Sequence, residues 1–176
     1  MILYLIRHAE AVDRKSDDVP DDYRVLSSNG REVMKKVGRW CADQQILIER
    51  IFSSPLLRAV QTAEILSVII NSPNKVEIIL ALGAGGSPEQ ILRFLPQYQH
   101  LDSLALVGHE PTIGIMTSTL IGLNKKISFS PGSICCLVYH GIDQTPQASF
   151  RWMVQAVYDA KTQAVTLKKV SSVESI

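Results

Sequence analysis

Four short, largely apolar runs, at residues 2–6, 50–52, 76–80 and 104–107, alternate along the chain with stretches patterned as helices, and this alternation constrains the fold more than any other feature. The first run, Ile2, Leu3, Leu5 and Ile6 around Tyr4, has no polar face. That is the composition of a central parallel strand buried on both sides. Strands that alternate with helices pack as a three-layer α/β/α sandwich, so a mainly parallel sheet is expected. Two further β-rich runs, 134–139 and 152–157, flank the loop 141–149 and are expected to pair antiparallel at one edge of that sheet. From Lys168 onward the chain is polar and reads as a loose end.

A chain of 176 residues is long enough to bury a substantial core as one domain, spanning 1–176, without disulfide or metal staples. Apolar residues at 46% and charged residues at 20% describe a globular protein, and a net charge of +1 argues against a nucleic-acid partner. The first strand meets Arg7 and His8 too early to be a signal peptide, and no apolar run reaches membrane-spanning length. A cytoplasmic protein without a membrane partner is therefore expected. Cys41, Cys135 and Cys136 read as reduced, buried thiols, since neighbouring residues on a strand point to opposite faces and cannot easily share a metal.

Three strand-to-helix junctions carry the chemistry. Arg7 and His8 end the first strand, and ligands of open α/β sheets bind at that carboxyl edge. Ser53, Ser54 and Pro55 follow the second strand as a capping serine and first-turn proline, with Arg58 in the opening turn of a helix, where the helix dipole disfavours a cation unless an anion is near. Gly108 and His109 follow the fourth strand, with Glu110, Pro111 and Thr112 opening the next helix. Two arginines at one sheet edge offer forks to phosphoryl oxygens, and two imidazoles add a nucleophile and a further donor. The pocket suits a small dianion. Elsewhere, Ser27 or Ser28 is expected to cap a helix with Val33, Val37 and Trp40 on its buried stripe, and Ser87, Pro88 and Gln90 open another. The acidic stretch with Asp13, Asp17, Asp18, Asp21 and Asp22 reads as a loop over the strand ends.

These junctions resemble those of the histidine phosphatases, the phosphoglycerate mutase-like superfamily. The resemblance rests on Arg7-His8-Ala9 where the family has Arg-His-Gly, on Arg24-x-Leu26-Ser27-x-x-Gly30, on Ser54-Pro55-x-x-Arg58-x-x-Gln61-Thr62 and on Gly108-His109-Glu110-Pro111. Lacking the helical cap insertions of larger members, the chain looks most like the SixA-type phosphohistidine phosphatases of signal transduction. The resemblance implies a metal-independent phosphatase without a cofactor. His8 would be the nucleophile that forms a phosphohistidine intermediate; Arg7, Arg58 and His109 would hold the phosphoryl group. Its substrate would be a phosphohistidine-bearing protein of the histidine-phosphotransfer type. The acid that larger relatives carry after the third strand is missing, since residues 80–83 read Leu80, Ala81, Leu82, Gly83. Glu110 is the first candidate for that role and Glu10 the second, while Glu110 could equally stabilise its helix N-terminus. The alternatives are a small-molecule phosphomonoesterase of the same superfamily and a non-catalytic phosphoprotein-binding module.

Overall fold

The computed structural model describes residues 1–13, 20–141, 143, 147–159, 161–162 and 164–175. Much of the acidic loop, including Asp17 and Asp18, thus lies outside the described residues. The strands are β1 (Ile2–Arg7), β2 (Arg50–Ser53), β3 (Glu77–Ile78), β4 (Ser103–Gly108), β5 (Ile134–Tyr139), β6 (Ala148–Asp159) and β7 (Ala164–Val170). The α-helices are α1 (Ser28–Asp43), α2 (Leu57–Ile69), α3 (Pro88–Phe94) and α4 (Thr112–Leu120). The strands form one sheet in the order β3-β2-β4-β1-β5-β6-β7. Helices cover both faces: α1 and α2 pack on Tyr4, Ile6, Ile51 and Ala105, while α3 and α4 pack on Leu3, Leu5, Phe52 and Leu106. The three-layer α/β/α reading holds, and β1 is the central strand that its apolar sequence implied.

The sheet is more mixed than the sequence suggested. Strands β1 to β4 pair in parallel, but β1–β5, β5–β6 and β6–β7 are antiparallel, and the last is the longest ladder. Runs 134–139 and 152–157 do pair antiparallel, although β5 lies against β1 in the interior rather than at an edge. Its sequence ICCLVY explains this, because an interior strand needs apolar residues on both faces. The expected loose end begins instead inside β7, a strand that Thr166, Lys168 and Lys169 conceal by interrupting its apolar signal. Run 76–80 shrinks to the exposed two-residue edge strand β3.

Local capping settles the helix starts. Ser27 rather than Ser28 caps α1, accepting from the Gly30 amide at 3.0 Å. At α3 the expected reciprocal bonds between Ser87 and Gln90 are both present. By contrast, α2 begins at Leu57 with Leu56 as an uncapped N-cap, so Ser53 and Ser54 do not cap it.

Candidate active site

The register of the parallel strands builds the site. Arg7 lies level with Gly108, so the residues that follow, His8 and His109, emerge side by side, their ring centroids 4.8 Å apart. The His8 amide donates to the Gly108 carbonyl at 3.0 Å, and the Ser54 amide donates to the Val107 carbonyl at 2.9 Å. Three junctions remote in sequence are thereby fixed to one another through backbone before any side chain is considered. Arg58, in the first turn of α2 and only 6% exposed, reaches back so that its Nε lies 3.3 Å from His8 Nε2. Arg7, His8, Arg58 and His109 therefore share the carboxyl edge, as expected.

The tautomer of His8 follows from its partners. Nδ1 lies 2.6 Å from the Ala9 carbonyl oxygen, which can only accept, so Nδ1 carries the proton and Nε2 presents a lone pair. Arg58 Nε–H faces that lone pair. Burial pushes the His8 pKa down to about 4; the Ala9 bond opposes this, and the charges of Arg58, Arg7 and Arg24 add to it. His109 goes the same way, to about 3, through burial first and then the proximity of His8 and Arg58. Both rings are neutral at pH 7.

The remaining motif residues hold these groups in place. Thr62 Oγ donates to the Arg58 carbonyl at 2.7 Å and accepts from the Ala9 amide at 3.1 Å, tying the loop after His8 to α2. Gln61 accepts from the Leu26 amide at 2.8 Å. Ala9, where the family has glycine, is fully buried. Ser54 Oγ accepts from the Leu56 amide at 3.2 Å and lies 2.7 Å from His109 Nε2. Either ring tautomer satisfies that contact, because the hydroxyl can donate to Nε2 or accept from it, and His109 carries its proton on Nδ1 when the serine donates. Among the described residues, buried His109 Nδ1 and Arg7 Nε have no hydrogen-bond partner. Orphaned groups of this kind are costly in a folded protein, and two beside one pocket point to an oxyanion.

The two candidate acids are otherwise engaged. Glu110 Oε1 accepts from the Phe129 amide at 3.3 Å, and its Oε2 pairs with Lys126 Nζ at 2.7 Å. Phe129 also accepts from Arg7 NH1 at 2.6 Å, so Glu110 and Arg7 grip the same residue from two sides. Glu10 Oε1 accepts from Ser27 Oγ at 2.7 Å. Sequence reasoning missed Phe129, whose carbonyl carries no signature, and took Ser54 for a cap although it stands in the Ser54-Pro55-x-x-Arg58 motif. It also missed Asp21, whose Oδ2 lies 3.0 Å from Arg58 NH2 and whose Oδ1 lies 2.8 Å from Arg24 Nε.

Known proteins resemble this chain in sequence and in fold. A model of the histidine phosphatase superfamily, branch 1, matches residues 3–80. The chain is 26% identical over 157 residues to the phosphohistidine phosphatase SixA of Escherichia coli strain K12, covering 88% of this chain and 93% of that protein. It is 36% identical over 116 residues to an uncharacterized protein of Picosynechococcus sp., covering 65% of this chain and 69% of that one. The structure of the protein histidine phosphatase SixA complexed with tungstate superposes with a TM-score of 0.77 at 25% identity, over 87% of this chain and 96% of that one. Among the described residues no helix is long and apolar enough to cross a membrane. The sequence match, the shared fold and the junction motifs agree: this chain belongs to the histidine phosphatase superfamily.

Proposed function

We propose that the protein is a phosphohistidine phosphatase that hydrolyses the phosphoryl group of a histidine-phosphotransfer-type protein through an intermediate on His8. The observation that carries this reading is the His8 ring itself, protonated on Nδ1 by its bond to Ala9 and presenting an unprotonated Nε2 beside Arg58. An unprotonated imidazole nitrogen framed by cations is the nucleophile that an anionic phosphoryl group requires. Among the described residues, Arg7, Arg24 and Arg58 outnumber the Asp21 carboxylate that pairs with two of them, which favours an anion, while Glu110 is matched by Lys126. Phosphoryl transfer asks mainly for position and charge stabilisation, and Arg7, Arg58 and His109 supply both without a metal.

The substrate class follows from what the carboxylates do. An alkoxide leaves poorly without a proton donor, whereas phosphohistidine can carry a proton on its free ring nitrogen and leave as neutral imidazole. Glu110 and Glu10 are both bound as acceptors, so Glu110 acts here as a positioning group for Phe129 and Arg7, and no acid is assigned. The likeness to proteins named phosphohistidine phosphatase supports the same class. The test is to compare turnover of a phosphohistidine protein with that of sugar phosphates. Preference for the phosphoprotein is expected, and preference for the sugars would overturn the reading in favour of a small-molecule phosphomonoesterase.

A further inference from the structure

Asp21 opens a short 3-10 turn, Asp21–Tyr23, beside the pocket, and it meets Arg58 through both backbone and side chain. Its backbone carbonyl accepts from Arg58 NH1 at 2.8 Å and its Oδ2 from Arg58 NH2 at 3.0 Å, while Arg58 Nε faces His8 Nε2 at 3.3 Å. One guanidinium therefore separates the carboxylate from the attacking nitrogen. The Arg58 side chain is 7% exposed and that of Asp21 40%, so the arginine lies within the pocket and the carboxylate at its rim. In-line displacement expels the leaving group away from His8, outward from the pocket.

Resting on the function proposed above, we infer that Asp21 selects phosphorus–nitrogen substrates by accepting a hydrogen bond from the distal ring N–H of the phosphohistidine side chain. An ionised carboxylate has about four acceptor positions, and the two arginines occupy one on each oxygen, so capacity remains. Burial opposes ionisation of Asp21, but the hydrogen bonds and charges of Arg24 and Arg58 outweigh it and hold the carboxyl below its usual range. Among the described residues, the charged groups that face Asp21 are Arg24 at the end of its own turn and Arg58 from α2, with neutral His109 near enough to sense its charge.

An ionised acceptor has the right sign for one leaving group and the wrong sign for the other. It stabilises an imidazolium N–H, yet it cannot protonate an ester oxygen and only repels the lone pairs there. The step balances without a further reactant. His8 Nε2 gives its lone pair to phosphorus, the P–N bond of the substrate breaks, and that pair returns to the substrate ring. The ring leaves neutral with its distal proton still in place, and His8 becomes the protonated phosphohistidine. Water then attacks phosphorus, so that neutral His8 and dihydrogen phosphate result.

The experiment compares the wild type with Asp21→Asn on phosphoimidazole, p-nitrophenyl phosphate and N-methylated phosphoimidazolium, which is cationic but lacks the N–H. The readout is the ratio of kcat/KM for phosphoimidazole to that for p-nitrophenyl phosphate on one preparation, which does not depend on the folded fraction. We expect Asp21→Asn to lower that ratio about 10- to 100-fold, the range of a hydrogen bond to a charged group, and to lower the ratio of the methylated compound to the ester by less, since that cation keeps the charge attraction but has no N–H to donate. Equal loss on phosphoimidazole and ester would reduce Asp21 to a support for Arg58 and overturn the inference, as would equal loss on the methylated compound. A wild type that hydrolyses sugar phosphates but not phosphoimidazole would instead overturn the function on which the inference rests.

Discussion

Replacing Gly30 with alanine should destabilise the protein although the residue sits in a helix, where alanine is ordinarily better by about 1 kcal/mol. Gly30 is buried in the first turn of α1, and a Cβ there would stand 3.0 Å from the carbonyl carbon of Glu10, 3.1 Å from its nitrogen and closer still to its oxygen. Backbone cannot swing aside as a side chain can. The helix would have to retreat from residues 10–12, stretching the bonds from Ser27 N to Glu10 O at 3.0 Å, from Ser27 Oγ to Glu10 Oε1 at 2.7 Å and from Val12 N to Val25 O at 3.0 Å. Losing two or three such bonds costs about 2–3 kcal/mol and the strain of overpacking roughly 1–3 more, so the net loss after the helix gain is about 2–5 kcal/mol. With an m-value of about 2 kcal/mol per molar urea, the unfolding midpoint should fall by about 1–2.5 M. The same retreat disturbs the Ala9 carbonyl that orients His8, so turnover should fall about tenfold or more. A midpoint that stays or rises, with unchanged turnover, would refute this account of the Arg24-x-Leu26-Ser27-x-x-Gly30 motif.

Ser54→Ala should leave the fold intact and lower kcat about tenfold in steady-state assays, because it strips the hydrogen-bond partner from a buried imidazole worth about 1–1.5 kcal/mol. Both histidines should make stability fall with acid. Their folded pKa values, about 4 for His8 and about 3 for His109, lie below the unfolded value of about 6.5, so below that pH the unfolded chain takes up protons the native state refuses. The unfolding free energy from urea titrations should drop from pH 6.5 toward pH 4 by roughly 1.4 kcal/mol per pH unit for each ring, and His8→Gln should flatten the slope. Glu110→Gln should shift KM through Arg7 and preserve the alkaline limb of the kcat profile with an ester substrate; loss of that limb would make Glu110 the acid after all.

How legible all this was depended on how local the determinants are. Arg7, His8, Arg58 and His109 could be grouped from sequence because each directly follows, or lies one turn beyond, a run whose composition marks a buried strand. Parallel pairing then makes such junctions converge. The Ser87–Gln90 cap was readable for the same reason, since both partners lie within four residues. What escaped was set by tertiary contact. The carbonyl that holds Arg7 belongs to Phe129, 122 positions away, and any residue could provide it. Asp21 was one carboxylate among five in a polar stretch, and only the docking of its turn on α2 distinguishes it. β7 was hidden because an edge strand exposes one face, and its lysines look like those of a solvated tail.

That His8 Nε2 attacks phosphorus is tested most directly by trapping. After brief mixing with a 32P-labelled phosphohistidine protein and quenching in alkali, the label should be stable to base, labile to acid and located on His8, and His8→Ala should lose both label and turnover. An unlabelled enzyme, with His8→Ala hydrolysing the substrate as fast as the wild type, would contradict it.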